Sequence, residues 1–314
     1  MRKKVVVLGG GTGMSSLLKG LKEFPIDITA VVSVCDDGRS TGRLREEFHV
    51  PAMGDIRQVL VSLSETEPLV EKLLNYRFKT TSDLNGHSVG NLLLTALNNM
   101  TGNMSSGIEA LGRVLNLKGH ILPLTEDEVT LCAKMKDGAV IEGEHNITGY
   151  NGKIKEVYYK KEPVLNDLVK EAIKEADLVI LSMGSIYTSV IPNLLCKDVI
   201  KLLDSTKVPI MYTCNMMTQP GETDDLTVSE HVKIINKYLG KRKIDVVVAN
   251  SGKIKEEMRK KYETLEQKDP VKLDKENLSD IKIISNDYVK IENEYLRHDA
   301  ILLSLDIFKY LITK

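Results

Sequence analysis

The chain has almost no net charge: 43 basic and 44 acidic side chains leave a formal balance of −1. That cancellation removes the broad positive surface by which proteins grip nucleic acid or an anionic membrane, so neither is expected as a partner. Cysteine is scarce. Cys35, Cys132, Cys196 and Cys214 lie far apart and form no C-x-x-C pair. That pattern speaks against a disulfide framework or a zinc site and fits a reducing cytoplasm. Long apolar runs are missing as well. No window approaches the roughly 18 residues that span a bilayer, and Met1-Arg2-Lys3-Lys4 leads into a strand too short for a signal peptide. No H-E-x-x-H occurs, and no cysteine–histidine spacing picks out a nucleophile. Internal repeats and low-complexity tracts are absent. The expectation is a cytoplasmic protein without a membrane span.

What the chain does have begins at Val5-Val6-Val7-Leu8, which runs straight into Gly9-Gly10-Gly11-Thr12-Gly13. The apolar run reads as a buried parallel strand, and the glycines fall where that strand must turn into a helix. Glycine permits the tight turn and lets a ligand reach the backbone. A helix opening near Gly13 aims unpaired N–H groups, and the positive end of its dipole, at that space. Ser15 and Ser16 stand ready as further donors. Phosphate binding is the chemistry this favours, with a ligand-free turn as the plainer reading. The spacing is neither the dinucleotide G-x-G-x-x-G, since Met14 takes the third glycine's place, nor a P-loop. A second strand, Ile28 to Val34, ends at Cys35-Asp36-Asp37-Gly38, where an acidic residue can accept from a ribose. A nucleotide is the economical expectation.

Helical patterns fill the rest of the first half, with Pro68 at one helix start and Ser88 as the N-cap of another. Between residues 119 and 160 short strands with Asp137-Gly138, Thr148-Gly149 and Asn151-Gly152 suggest a small antiparallel insertion built of hairpins. Strand–loop–helix units then return at Asp177–Leu181, Val208–Tyr212 and Ile244–Val248. The fold class expected is α/β: a doubly wound, Rossmann-like parallel sheet in a single domain over 1–314. Residues 253–314 read as a charged, helical C-terminal segment.

Ligands of an open parallel sheet bind outside the carboxyl ends of its strands. Polar, glycine-bearing loops fall at those ends: Gly9–Gly13, Asp36–Arg43, Gly184-Ser185 with Thr188-Ser189, Asn215 with Gln219-Pro220-Gly221-Glu222-Thr223, and Asn250-Ser251-Gly252. Asp36 and Asp37 either cap a turn or supply a carboxylate to Mg²⁺ beside a phosphate. Arg39, Arg43 and Arg45, set among Gly, Ser and Thr, suit anion clamping better than a solvated face. His87 is equally a phosphate-facing donor and a capping neighbour. His49, His120, His145 and His231 have no metal-ligand spacing, and Gly221 to Asp224 reads as a helix entry.

These residues resemble the bacterial gluconeogenesis-factor family, whose fold is similar to that of 2-phospho-L-lactate transferase. The resemblance runs in order through the glycine loop, Asp36 to Arg45, Gly54-Asp55-Ile56-Arg57, Tyr76-Arg77-Phe78 and Gly86 to Leu92. It continues with Gly184 to Ser189, Pro192-Asn193-Leu194, Asn215 to Thr223 and Arg297-His298-Asp299. Two departures are Ser182-Met183-Gly184-Ser185, where the family has Gly-Pro-Gly-Ser, and Arg39, where it has a second glycine. The transferase branch has Ser-Pro-Asp in place of Gly42-Arg43-Leu44-Arg45, which argues against carrying its activity over.

The resemblance implies binding of a UDP-sugar, UDP-N-acetylglucosamine in particular, linked to cell shape, wall synthesis and growth on gluconeogenic carbon sources. The ligand contacts it implies are Gly10, Gly11, Thr12, Gly13, Asp36, Asp37, Ser40, Arg43, His87, Asn91, Gly184, Ser185, Thr188, Asn215, Gln219, Tyr262 and Arg297. Asp37 is the residue expected to hold Mg²⁺ if a metal takes part. For Tyr262 the alternative is helix packing, and for Arg297 a surface ion pair. Cell-wall synthesis proteins and a second copy of the chain are the expected protein partners. Two functions remain open: a nucleotide-sugar sensor that makes no bond, and a Mg²⁺-dependent phospho-lactate-type transferase using a nucleotide-activated substrate. A dehydrogenase rests only on the Rossmann-like sheet.

Overall fold

The apolar runs of the sequence pair into one seven-stranded sheet, ordered β10-β9-β8-β7-β1-β2-β3, with every neighbouring pair parallel. In this computed structural model residues 2–292 and 294–313 are described, apart from the side chain of Arg39. The strands are β1 (Lys3–Gly9), β2 (Ile26–Val32), β3 (His120–Pro123), β7 (Leu178–Leu181), β8 (Ile210–Thr213), β9 (Val246–Asn250) and β10 (Lys282–Asn286). The chain builds outward from β1 through β2 to β3, then returns to the far side of β1 and continues from β7 to β10. The order therefore reverses between β1 and β7. A crevice opens above the carboxyl ends at such a reversal.

Central strands such as β7 and β8 are buried along their whole length, because helices cover both sheet faces. Helix α1 (Gly11–Leu21) follows β1. Five helices separate β2 from β3: α2 (Arg39–Phe48), α3 (Gly54–Leu63), α4 (Pro68–Asn75), α5 (Val89–Thr101) and α6 (Met104–Val114). Local chemistry sets their starts. Pro68 occupies the first turn of α4, and Ser88 caps α5 by accepting from Asn91 N at 3.3 Å. A three-stranded antiparallel sheet follows, made of β4 (Leu131–Met135), β5 (Val140–Glu142) and β6 (Ile154–Tyr159), with the short α7 (Glu144–Gly149) inside it. Next come α8 (Asp167–Glu175), a π-turn at Ile186–Val190, α9 (Ile191–Leu195), α10 (Lys197–Ser205), α11 (Val228–Asn236) and α12 (Glu256–Glu266). The hairpin of β11 (Val289–Glu292) and β12 (Tyr295–His298) leads into α13 (Ala300–Ile312). This last helix packs on α1 at Gly20, where a Cβ would stand 2.0 Å from the Ala300 carbonyl oxygen.

Three sequence expectations need correction. His120–Pro123 is not part of the insertion but the edge strand of the main sheet, paired with β2. A four-residue apolar run has too little periodicity to tell the two apart. Thr148-Gly149 closes α7 and is no hairpin turn, whereas Asp137-Gly138 does join β4 to β5. The C-terminal stretch is not simply helical either. It supplies β10, an edge strand only partly buried, so its Lys, Ser and Asn residues hid the strand signal.

Asp274 ties the loop before β10 to the start of α11. Its carboxylate accepts from Ser229 N at 3.0 Å, Ser229 Oγ at 2.6 Å, Thr227 Oγ1 at 3.0 Å and Asn277 Nδ2 at 2.9 Å. Burial alone would raise its pKa, but these hydrogen bonds outweigh burial and hold it at about 2. Replacement by Asn is expected to cost about 1–3 kcal/mol at neutral pH. Because the folded pKa is depressed, this stability is present above the ordinary carboxyl value of 3.8 and fades as pH falls through about 2. Denaturant titrations of wild type and Asp274→Asn across that range should therefore converge at the acid end; a constant gap would contradict the assignment.

Candidate functional site

A cleft of about 860 Å³ lies over the reversal point. Its floor is Gly10–Gly13 and Ser16 from the start of α1, with Gly184, Ser185, Thr188 and Ser189 after β7. Asn215 and Gln219 come from the loop after β8, Tyr262 from α12, and Tyr295, Arg297 and His298 from β12. Of the residues expected from sequence, eleven meet here: Gly10, Gly11, Thr12, Gly13, Gly184, Ser185, Thr188, Asn215, Gln219, Tyr262 and Arg297. Asp36, Ser40 and Asn91 line a separate pocket. Asp37, Arg43 and His87 line neither of the two.

The floor depends on glycine. Helix α1 begins at Gly11, two residues before the expected start, with Gly11 at φ 66°. A Cβ on Gly13 would stand 2.2 Å from the Met183 carbonyl oxygen, so the first turn of α1 touches the β7 loop backbone to backbone. Ser16 faces the cleft, but Ser15 turns inward and its hydroxyl has no partner among the described residues. Across the floor, Asn215 grips Gly184 twice: Oδ1 accepts from Gly184 N at 2.8 Å and Nδ2 donates to its carbonyl at 2.6 Å. Ser185 Oγ accepts from Thr188 N at 3.1 Å and donates to Glu222 Oε2 at 2.5 Å. Gln219 Nε2 donates to the other oxygen of Glu222 at 2.8 Å. Asn215 and Gln219 thus shape the loop with the same atoms that a ligand would otherwise use.

Two carboxyls at this floor lay in segments the sequence singled out but were not among the expected site residues. Burial pushes Glu222 up to about 7, against the hydrogen bond from Ser185. Burial also pushes Asp55 up to about 7, helped by Asp36 and Glu144, although the Gly11 amide bonds its charged form. Asp55 lies directly under Gly10, where a Cβ would come within 2.4 Å of its Oδ2. From sequence Glu222 read as a helix-entry acid and Asp55 carried no assigned role, because the long-range approach that buries them leaves no local pattern. Burial also lowers His298 to about 4, so its imidazole is neutral.

Arg297 is exposed, stacks on the Tyr295 ring at 5.3 Å and spends Nη1 on the Leu296 carbonyl at 3.1 Å. Tyr262 combines both alternatives: it lines the cleft, yet it is 5% exposed and its hydroxyl accepts from Leu296 N at 2.8 Å. It thereby ties α12 to the hairpin that carries Arg297.

Several expected contacts serve the scaffold. Asp37 Oδ1 accepts from His145 N at 2.8 Å in the first turn of α7, and Asp36 Oδ1 accepts from Gly38 N at 2.9 Å. Arg43 donates to the carbonyls of Asp83 at 3.2 Å and Asn85 at 2.5 Å. Arg45 donates to those of Asp36 at 3.1 Å and Val129 at 2.6 Å. These two guanidiniums brace loops, contrary to the anion-clamp expectation; the Arg39 side chain lies outside the described residues. His87 is buried with Nδ1 2.9 Å from Ser40 Oγ. Gly86-His87-Ser88-Val89-Gly90 spells G-x-S-x-G, but Ser88 is a buried helix cap, not an exposed nucleophile. Among the described residues no group of three His, Cys, Asp or Glu is placed to hold a metal, and none of the helices is long and apolar enough to cross a membrane.

Residues 5–289 match the family model described as 2-phospho-L-lactate transferase CofD. The chain is 44% identical over 303 residues to the gluconeogenesis factor of Bacillus subtilis, covering 95% of each protein. It is 43% identical over 307 residues to a putative gluconeogenesis factor of Thermotoga maritima, covering 96% of this chain and 97% of the relative. A crystal structure of a Bacillus halodurans protein superposes with a TM-score of 0.94 at 41% identity, covering 98% of this chain and all of that one. With its sheet order and its loops at the reversal point already those of such a binding fold, the chain belongs to the gluconeogenesis factor family, within the 2-phospho-L-lactate transferase CofD family.

Proposed function

We propose that the cleft binds a nucleotide sugar, UDP-N-acetylglucosamine by preference, in the cytoplasm, and that occupancy itself is the signal. One observation carries the reading: the glycine-floored start of α1 meets the Gly184-Ser185 turn over the sheet's reversal point. Beyond Gly11, whose amide Asp55 already engages, the first-turn amides of α1 would receive phosphate oxygens, with the helix dipole behind them. Arg297 offers a fork for the diphosphate, and the cleft's 860 Å³ falls in the ordinary range for small-molecule sites. The name carried by the relatives supports a role in growth on gluconeogenic carbon sources, and we propose cell shape as one readout of that role.

A transferase is favoured by one separate observation, the match to the transferase family model over residues 5–289. In that reading Asp36 or Asp37 would hold Mg²⁺ beside a phosphate, with Asp37 Oδ1 already accepting from His145 N. The ion would supply positive charge to phosphate oxygens. Calorimetric titration with UDP-N-acetylglucosamine, followed by incubation with Mg²⁺ and candidate acceptors, separates the two. Saturable binding with intact ligand supports the sensor, and release of UMP or UDP replaces it by the transferase.

Gly11→Val is expected to abolish that binding while circular dichroism stays native-like, because valine resists φ 66° and fills the phosphate's space. Wild-type affinity in this variant would reduce the loop to a turn. Arg297→Ala is expected to lose most of the affinity and Arg297→Lys to recover only part, since a point charge does not reproduce the fork; equal affinities would remove Arg297 from the site. Affinity should also rise as pH falls through about 7, where Glu222 and Asp55 take up protons and cease to repel a diphosphate. Glu222→Gln and Asp55→Asn should each flatten that profile, and a flat wild-type profile would count against both carboxyls.

A further inference from the structure

A second pocket, of about 200 Å³, opens near the cleft and shares only Glu144 with it. Its walls include Ser40, Asn91, Asp36 and two arginines, Arg57 and Arg77. Arg57 is 7% exposed. Its Nε donates to Asn91 Oδ1 at 3.1 Å and its Nη1 to Asn75 Oδ1, both neutral amides. Among the described residues no carboxylate stands at ion-pair distance from it. Asp55 and Asp36 stabilise its charge only from beyond ion-pair distance, and a buried guanidinium with no negative group in direct contact is costly unless something else supplies one.

The surrounding structure fixes that charge in place. A Cβ on Gly90 would stand 2.7 Å from Arg57 Cδ, so α5 presses directly on the arginine stem. Asn91 Nδ2 donates to Ser40 Oγ at 3.3 Å, and Ser40 Oγ lies 2.9 Å from His87 Nδ1. Burial and Arg43 lower the His87 pKa, which leaves its neutral ring free to accept from Ser40. This chain, His87–Ser40–Asn91–Arg57, joins α2, α3 and α5 into one rigid wall. Arg77 adds a second positive charge that acts against the first, with its Nη1 on the Gly86 carbonyl at 2.8 Å. Asp36 and Glu144 in the same pocket are acceptors suited to hydroxyl groups.

We propose that this pocket binds the oxyanion of a small hydroxylated phosphate or carboxylate, gripped by Arg57 and Arg77, with its hydroxyls on Asp36 and Glu144. The ligand is distinct from the one in the cleft, and the assignment holds whatever the cleft binds. Isothermal titration with a matched series tests it: glycerol 3-phosphate, glycerate and uncharged glycerol. Either anion should bind and glycerol should not, and which anion binds identifies the oxyanion's source. Arg77→Ala, at an exposed position, should weaken anion binding about tenfold or more, as expected for lost charge-assisted hydrogen bonds, and leave UDP-N-acetylglucosamine binding unchanged. Arg57→Lys, which keeps charge and most of the volume, should weaken it similarly; if this variant melts early, Arg77→Ala decides alone. Absence of binding by both anions, equal binding of glycerol, or wild-type anion affinity in Arg77→Ala would overturn the proposal. A protein that binds the anion but not UDP-N-acetylglucosamine would overturn the cleft reading and leave this one standing.

Discussion

The structure turns on one close approach, the backbone of Gly13 against that of Met183 and Gly184. Strand order alone would leave the ends of β1 and β7 as neighbours with a gap between their loops. Omitting a single Cβ lets the first turn of α1 settle onto the other loop, and Asn215 then locks Gly184 from the opposite side. Everything polar in the cleft is measured from that contact. Ser185, Thr188 and Glu222 are arranged around the β7 loop, and the hairpin with Arg297 closes over it. Such a floor is preorganised: its donors and acceptors are held in place by the protein's own hydrogen bonds, so little in it remains to be ordered.

The second theme is charge held out of water. Asp55 and Glu222 sit at the floor with raised pKa values because burial disfavours their ions, and Arg57 sits in the neighbouring pocket without a carboxylate partner. Burial works against the charge in each arrangement, and for the two carboxyls a proton removes it. Sites that bind or react are where such imbalances collect. Asp274 makes the contrast: its side chain is also withdrawn from water, but it is surrounded by donors and holds its charge readily.

The parallel sheet and the glycine floor were legible in the chain, because β-branched runs ending in Gly-Gly-Gly or Met-Gly-Ser have few other structural solutions. Ser88 and Pro68 marked helix starts for equally local reasons. What local pattern does not hold is which loop a side chain will face. Arg43 and Arg45 looked like anion ligands among small polar residues, yet carbonyls from distant loops take their donors. Asp36 and Asp37 diverge because one turns on its own loop and the other reaches α7, more than a hundred residues later. Edge strands β3 and β10 were missed or misplaced for the opposite reason: half-exposed, they lack the continuous apolar run that announces a central strand.

The order in which the chain is made matters for when the site exists. Strand β1 emerges first, but its partner β7 pairs Val5 with Leu178, and α13 reaches back to lie on α1 from the far end of the sequence. A sheet centred on such distant pairings folds late, since long loops must close before any contact rewards them. During synthesis the glycine loop therefore waits as an exposed strand end while most of the chain is still to be made. Arg297 and its hairpin arrive later still, just ahead of the helix that clamps α1. The cleft is thus completed from both ends of the sequence: a chain ending before β12 would hold every glycine of the floor and still lack the wall with Arg297.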